Sequence, residues 1–208
     1  MKQIYQAIEV IRKRLGMYLG ELSISKLETF LNGYRMALND LEEKAYAIFP
    51  LPLRFFHDYV AFRYHYSGSS SGWKNMILDQ VDHDEGKGLD LFFELLDEFK
   101  QIAVDAYYTA DLRPNHITYH HTNERLFGYK FGGISEPIYK NPVKIYYAKL
   151  SNTIGYIGLI QTDIAYLILH PYRVEEQLQR HFQTYFGEEI NWHEIDHIDI
   201  DKPVQDFW

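Results

Sequence analysis

Two hydrophobic periodicities share this chain, and the point where one gives way to the other constrains its fold more than any other feature. Up to about residue 104, apolar residues recur every three or four positions. Ile4, Ile8, Ile11 and Leu15 predict a first helix, with Arg12, Lys13 and Arg14 where a helix C-terminus favours cations and Gly16 as its stop. A second helix is expected from Ser23–Ser25, with Ser25 and Glu28 as a capping box and Leu27, Phe30, Leu31, Tyr34, Leu38 and Leu41 as its stripe. Pro52 can open a third through Phe56 and Val60, and a short fourth should run from Trp73 to about Gln80. Leu91, Phe92, Leu95, Leu96, Phe99 and Ile102 mark a fifth, from about Leu89 to Val104.

After Pro114 the period changes. Lys144–Leu150, Ile154–Gln161 and Ile164–His170 are β-branched and aromatic, separated by Ser151-Asn152-Thr153 and Thr162-Asp163 at hairpin lengths, which predicts an antiparallel meander. His116–Tyr119 reads as a further short strand. A late helix is expected from about Arg173 to Phe186, with Val174, Leu178, Phe182 and Tyr185 inward. Gly155 and Gly158, inside a strand pattern, mark bulges or close packing. Helices first and strands later predict an α+β fold: an N-terminal helical half of about five helices (1–112) packed with a C-terminal antiparallel β-meander and a late helix (113–208), in one domain with an acidic C-terminal tail.

Function classes are narrowed mainly by charge. The 208 residues carry a formal net charge of −8, a poor basis for gripping nucleic-acid phosphates. No cysteine is present, so disulfides, thiol nucleophiles and Cys-type zinc sites are excluded. No signal-peptide pattern and no spanning apolar run occurs, so a cytoplasmic protein without membrane partners is expected. The negative charge is unevenly spread. Residues 67–112 hold three basic and ten acidic side chains, and residues 187–208 one and seven, on an otherwise slightly positive background. The two acidic blocks read either as solvated faces or as one field that steers a basic partner.

His193-Glu194-Ile195-Asp196-His197 matches H-E-x-x-H, in which a helix aligns two imidazoles on zinc and the Glu activates bound water. It is the alternative functional expectation, a zinc-dependent hydrolase using these residues. Ile195, Ile198 and Ile200 instead favour period-2 or irregular structure, and no third ligand is indicated. His57 and His65 (on the third helix), His116 and His120-His121 read as structural, Lys130-Phe131-Gly132-Gly133 lacks a phosphate-loop context, and G-x-S-x-G is absent. No catalytic residue, metal or cofactor is therefore expected.

Arg12-Lys13-Arg14-Leu15-Gly16-Met17-Tyr18-Leu19-Gly20 looks like the R-P-G-M-Y-I-G stretch of type II topoisomerase ATPase domains. Leu15 replaces the proline, Asn32 and Asn39-Asp40 lack the Glu partner of an N-box, and no D-x-G-x-G box exists. A longer pattern combines that stretch with Ser25-x-Leu27-x-x-Phe30-Leu31-x-Gly33-Tyr34, Gly72-Trp73-x-x-Met76-Ile77-Leu78 and Leu91-Phe92-Phe93-Glu94-Leu95-Leu96-Asp97-Glu98-Phe99. Over roughly residues 10–100 it resembles immunity proteins of bacterial contact-dependent and other polymorphic toxin systems. The resemblance implies a non-enzymatic inhibitor that binds a cognate toxin domain, with the motif residues serving as turns and helix-core positions.

Many such toxins are nucleases with basic clefts, which carboxylates can occlude. The expected partner is thus a basic, nuclease-like toxin domain, met by Asp79, Asp82, Asp84, Glu85, Asp196, Asp199 and Asp201. Trp192, with Trp73 or Tyr172, is the expected aromatic anchor.

Overall fold

The computed structural model describes residues 2–39, 47–66, 71–111, 144–151, 155–162, 165–186 and 190–206. The fold is α+β, and contacts divide it into two compact units that part between Ile102 and Ala103. The expected strand His116–Tyr119, the His120-His121 pair, the Lys130–Gly133 stretch and the inward side chain of Tyr185 lie outside the described residues.

The first unit is helical: α1 Lys2–Arg12, α2 Leu15–Leu19, α3 Ile24–Asn39, a 3₁₀ turn Leu53–Phe55 leading into α4 Phe56–Arg63, α5 Gly72–Leu78, a second 3₁₀ turn Asp79–Val81, and α6 Glu85–Lys100. Tyr5, Ile8 and Ile11 bury the inner face of α1, and Ile24, Leu27 and Leu31 that of α3. Phe56 is the aromatic hub. Its ring lies 5.2 Å from Phe92, 5.5 Å from Phe99, 5.8 Å from Trp73 and 6.0 Å from Tyr59. Ion pairs Arg12–Asp97 and Lys100–Glu9, both 2.7 Å, tie α1 to α6.

Three local expectations are corrected here. Gly16 does not stop the first helix; α1 ends at Arg12, and Gly16 sits inside α2, which closes at Gly20 with φ 77°. The cap of α3 is Ser23, whose Oγ accepts from Lys26 N–H at 3.2 Å, while Ser25 donates to Glu85 and Glu28 pairs with Lys74 at 3.2 Å. The fifth helix starts a turn earlier than Leu89, because Asp84 caps it by accepting from Lys87 N–H at 2.9 Å. It also stops at Lys100, since Val104 belongs to a strand.

The second unit is one six-stranded sheet in the order β5-β1-β2-β3-β4-β6. β1 Val104–Asp111 falls inside the stretch assigned to the helical half. β2 Lys144–Leu150, β3 Gly155–Gln161 and β4 Tyr166–Ile168 form the expected meander, registered Lys144↔Gln161↔Tyr166. β5 His193–Ile195 pairs antiparallel with β1, and β6 Val204–Asp206 runs parallel to β4. α7, Glu175–Phe186, lays Leu178 and Phe182 on the sheet face made by Ala110, Ile145, Tyr147, Ile160 and Leu167.

Both strand glycines serve close packing. A Cβ on Gly158 would lie 2.6 Å from Leu169 and 3.0 Å from each of Leu178 and Phe182. Gly155 combines φ +100° with the carbonyl of Tyr172, which a Cβ would approach to 1.9 Å.

His181, on α7, shares a 2.7 Å hydrogen bond between its Nδ1 and the Tyr172 hydroxyl, and burial pushes its pKa from 6.5 down to about 4. Between those values the unfolded chain binds the proton and the folded one does not. Stability is therefore full above pH ~6.5 and falls as pH drops towards 4, by on the order of 2–3 kcal/mol. Urea midpoints followed by circular dichroism should decline across that window, and His181→Leu should flatten the decline. An equal slope in both proteins would refute this assignment.

Candidate acidic cleft

Residues 196–203 join β5 at one edge of the sheet to β6 at the other. Crossing four intervening strands takes five steps of about 4.8 Å, roughly 24 Å. Nine residue intervals cover that distance only when extended; a helix rising 1.5 Å per residue would fall short at about 14 Å. The segment is therefore a strap, and the sheet topology itself rules out a helix at His193–His197.

The strap passes the strand ends where Lys144, Gln161 and Tyr166 stand in register, and with them encloses an open cleft of about 650 Å³. Thr109, Tyr146, Lys144, Gln161 and Tyr166 line it from the sheet; Glu194, Asp196, His197, Asp199 and Asp201 line it from β5 and the strap. Tyr166, itself buried, holds the strap by donating to the Asp199 carbonyl at 2.8 Å and reaching an Asp201 carboxylate oxygen at 3.2 Å. Burial, then the neighbouring Tyr146 and Asp201, push the Tyr166 phenol well above its ordinary value, so it stays a donor. Lys202 donates to the Thr162 carbonyl at 3.1 Å, and Tyr146 to Gln161 at 2.7 Å. Glu194, Asp196, Asp199 and Asp201 are exposed. Four carboxylates facing one lysine and one histidine give the cleft a negative field that suits a basic side chain.

The anticipated partner residues are thus distributed over both units. Asp196, Asp199 and Asp201 meet in the cleft. Asp79, Asp82, Asp84 and Glu85 belong to the first unit, and most of them already have work within it. Asp79 accepts from the Tyr66 hydroxyl at 2.8 Å and Asp84 caps α6, while Asp82 is exposed in a left-handed turn at φ 52°. Glu85 accepts from Ser23 Oγ, Ser25 Oγ and Ser25 N–H at 2.7–3.0 Å. Burial raises its pKa, but these bonds and Lys74 outweigh that and hold it below the usual carboxylate range. Stability from Glu85 is hence present above the ordinary carboxylate pKa and lost as pH falls through the folded value. Glu85→Gln should make the first unit less stable at neutral pH and less sensitive to acid, read from urea midpoints at several pH values; an unaltered acid limb would contradict it.

The aromatic anchors turn inward. Trp192 is half-buried, 4.7 Å from the Tyr147 ring and 5.3 Å from Phe182, in the layer under α7. Trp73 packs 5.0 Å from Phe92, and Tyr172 pairs with Tyr156 and His181. In H-E-x-x-H, His193 and Glu194 occupy β5 and so alternate between faces, and His197 lies beyond the strand. Among the described residues no group of three or more His, Asp or Glu side chains is placed to hold a metal ion. His57 lies in α4, whereas His65 follows that helix at φ 59° rather than sharing its face.

The cleft floor of Lys144, Tyr146, Gln161 and Tyr166 was not anticipated. Its one sequence signal is the period-2 spacing of Lys144 and Tyr146. Among the described residues no helix is long and apolar enough to cross a membrane. Compared with protein-family models, curated proteins and solved structures, the chain matches none.

Proposed function

We propose that this chain is an immunity protein, a non-enzymatic binder that neutralises a cognate toxin domain of nuclease type in the cytoplasm. The observation that carries the reading is the cleft along which β5 and the strap line up Glu194, Asp196, Asp199 and Asp201. Carboxylates fixed on an extended segment can meet a basic, phosphate-binding surface with little reorganisation. They speed encounter and, where desolvated, slow release. The likeness of residues 10–100 to immunity proteins supports the same reading. Inhibition here is occlusion: the partner's cations are engaged and its substrate is kept out, with no bond made or broken.

The test is protection. Cells expressing the cognate toxin domain, to be sought in the gene upstream, should survive when the chain is co-expressed. Asp196→Lys with Asp199→Lys should weaken toxin binding more than ~10-fold and slow association, read by surface plasmon resonance. Unprotected cells would sink the immunity reading. Protection with unchanged affinity and on-rate in the double variant would sink the cleft's part in it.

A further inference from the structure

A second surface, in the first unit, is unexplained by its fold. Three of the large apolar side chains most open to solvent lie within six residues: Met17 (69% exposed), Tyr18 (38%) and Leu22 (61%). Gly16, beside them, is helical and exposed, with no atom within 4 Å of where a Cβ would stand. Neither backbone geometry nor packing demands glycine there, and alanine would suit the helix better. The sequence pattern presents these residues as turn and helix-core positions; Met17 and Tyr18 instead face outward.

Charge completes the surface. Lys13 and Arg14 are exposed immediately before α2 and make no ion pair among the described residues, whereas Arg12 is occupied by Asp97 and Glu21 lies 3.8 Å from Lys26. Met, Tyr and Arg at the centre of an exposed apolar patch are the composition of a protein interface. An anionic bilayer fits less well, because Glu21 and Glu85 lie beside Leu22, Glu85 being bonded to Ser23 and Ser25.

The opposite charge is available on the same chain. The strap cleft offers exposed carboxylates and about 650 Å³, room for a few side chains. We propose that the Lys13–Leu22 surface of one copy docks into the Glu194–Asp201 cleft of a second copy. Lys13 and Arg14 meet Asp196 and Asp199, and Met17, Tyr18 and Leu22 supply the apolar contact. The contact is heterologous, so it either closes around a symmetry axis or grows head to tail. It stands apart from the toxin reading, although a toxin seated on the strap would compete with it.

Sedimentation velocity on the full chain, at about 0.3 mM and low salt where charge contacts are least screened, tests the proposal. The wild type should self-associate, and added salt should weaken that association. Lys13→Glu/Arg14→Glu and Asp196→Lys/Asp199→Lys, both on exposed side chains, should each weaken it at least ~10-fold. Combined, the four changes exchange the charges and should restore association to within ~3-fold of wild type, which also shows that the variants fold. A monomeric wild type, association that survives either reversal, or a fourfold variant that stays monomeric would each overturn the proposal. So would binding of the wild type to phosphatidylglycerol vesicles without self-association. Toxin protection, measured separately, should persist in Lys13→Glu/Arg14→Glu, so failure here leaves the immunity reading standing and the reverse also holds.

Discussion

Phe56→Ala should destabilise the first unit by about 3–5 kcal/mol, the range for emptying a large aromatic site in a core. The ring is 1% exposed and touches Tyr59, Trp73, Phe92 and Phe99, which come from α4, α5 and α6. Its removal therefore leaves a void that no single helix can fill by shifting. Three of the lost partners, Phe92, Phe99 and Trp73, meet it edge-on at 5.2, 5.5 and 5.8 Å, geometry that contributes beyond buried area. Phe56→Leu keeps most of the volume and should recover more than half of the loss. Urea denaturation of both variants beside wild type checks this, and equal costs for Ala and Leu would show that the hub is not packed as described.

Gly155→Val should be at least as damaging to the second unit, on the order of 4 kcal/mol or more, because two penalties act together. A β-branched residue at φ +100° is strained wherever it stands. Here its Cβ would also fall 1.9 Å from the Tyr172 carbonyl oxygen, a backbone atom that no rotamer can move aside. Tyr156 and Tyr172 exchange backbone hydrogen bonds of 2.7 Å at this point, so relief of the clash breaks the bridge that brings the chain from β4 towards α7. Gly158→Ala is the informative comparison. It meets side chains of Leu169, Leu178 and Phe182, which can give way, and should cost less. Amide exchange of β3 in both variants would read the difference. If Gly158→Ala proved the worse, the close approach at Gly155 would be wrong.

Much of this architecture is visible in local chemistry, and the exceptions share a cause. The α6 stripe, Leu27 and Leu31 of α3, Leu178 and Phe182 of α7 and the β2–β4 meander are strongly patterned enough to read directly, whereas Val174, expected inward, precedes α7 and is exposed. β1 is not, because Val104–Asp111 follows a helix after three residues and its strand state is fixed by pairing with β2 and β5. The three-residue strands β5 and β6 are likewise set by their neighbours. Ser23 and Ser25 are equally good caps by residue type; both hydroxyls donate to Glu85, some sixty residues away, and only Ser23 also accepts from the helix, at Lys26 N–H. The acidic half of the cleft shows in the charge of the tail, and the strap's extended form in the spacing of Ile195, Ile198 and Ile200. The floor is hidden because it is assembled across β2–β4, and the anticipated acidic contacts, Asp79 to Glu85 and Asp196 to Asp201, fall in different units.

One continuous segment supplies both outer strands of the sheet, β5 against β1 and β6 against β4. Unpaired strand edges are templates for aggregation; here β6 covers β4, β5 covers Tyr107–Thr109 of β1, and both outer strands are too short to recruit much further pairing. The carboxylates of the strap consequently ride on the same piece of chain that guards the sheet from its own kind. Substitutions that loosen the strap, such as Tyr166→Phe, which removes the hydroxyl anchoring it, should register first as a loss of solubility on heating. A partner docked on the cleft, as proposed, would therefore rest on the same residues that cover the sheet's edges.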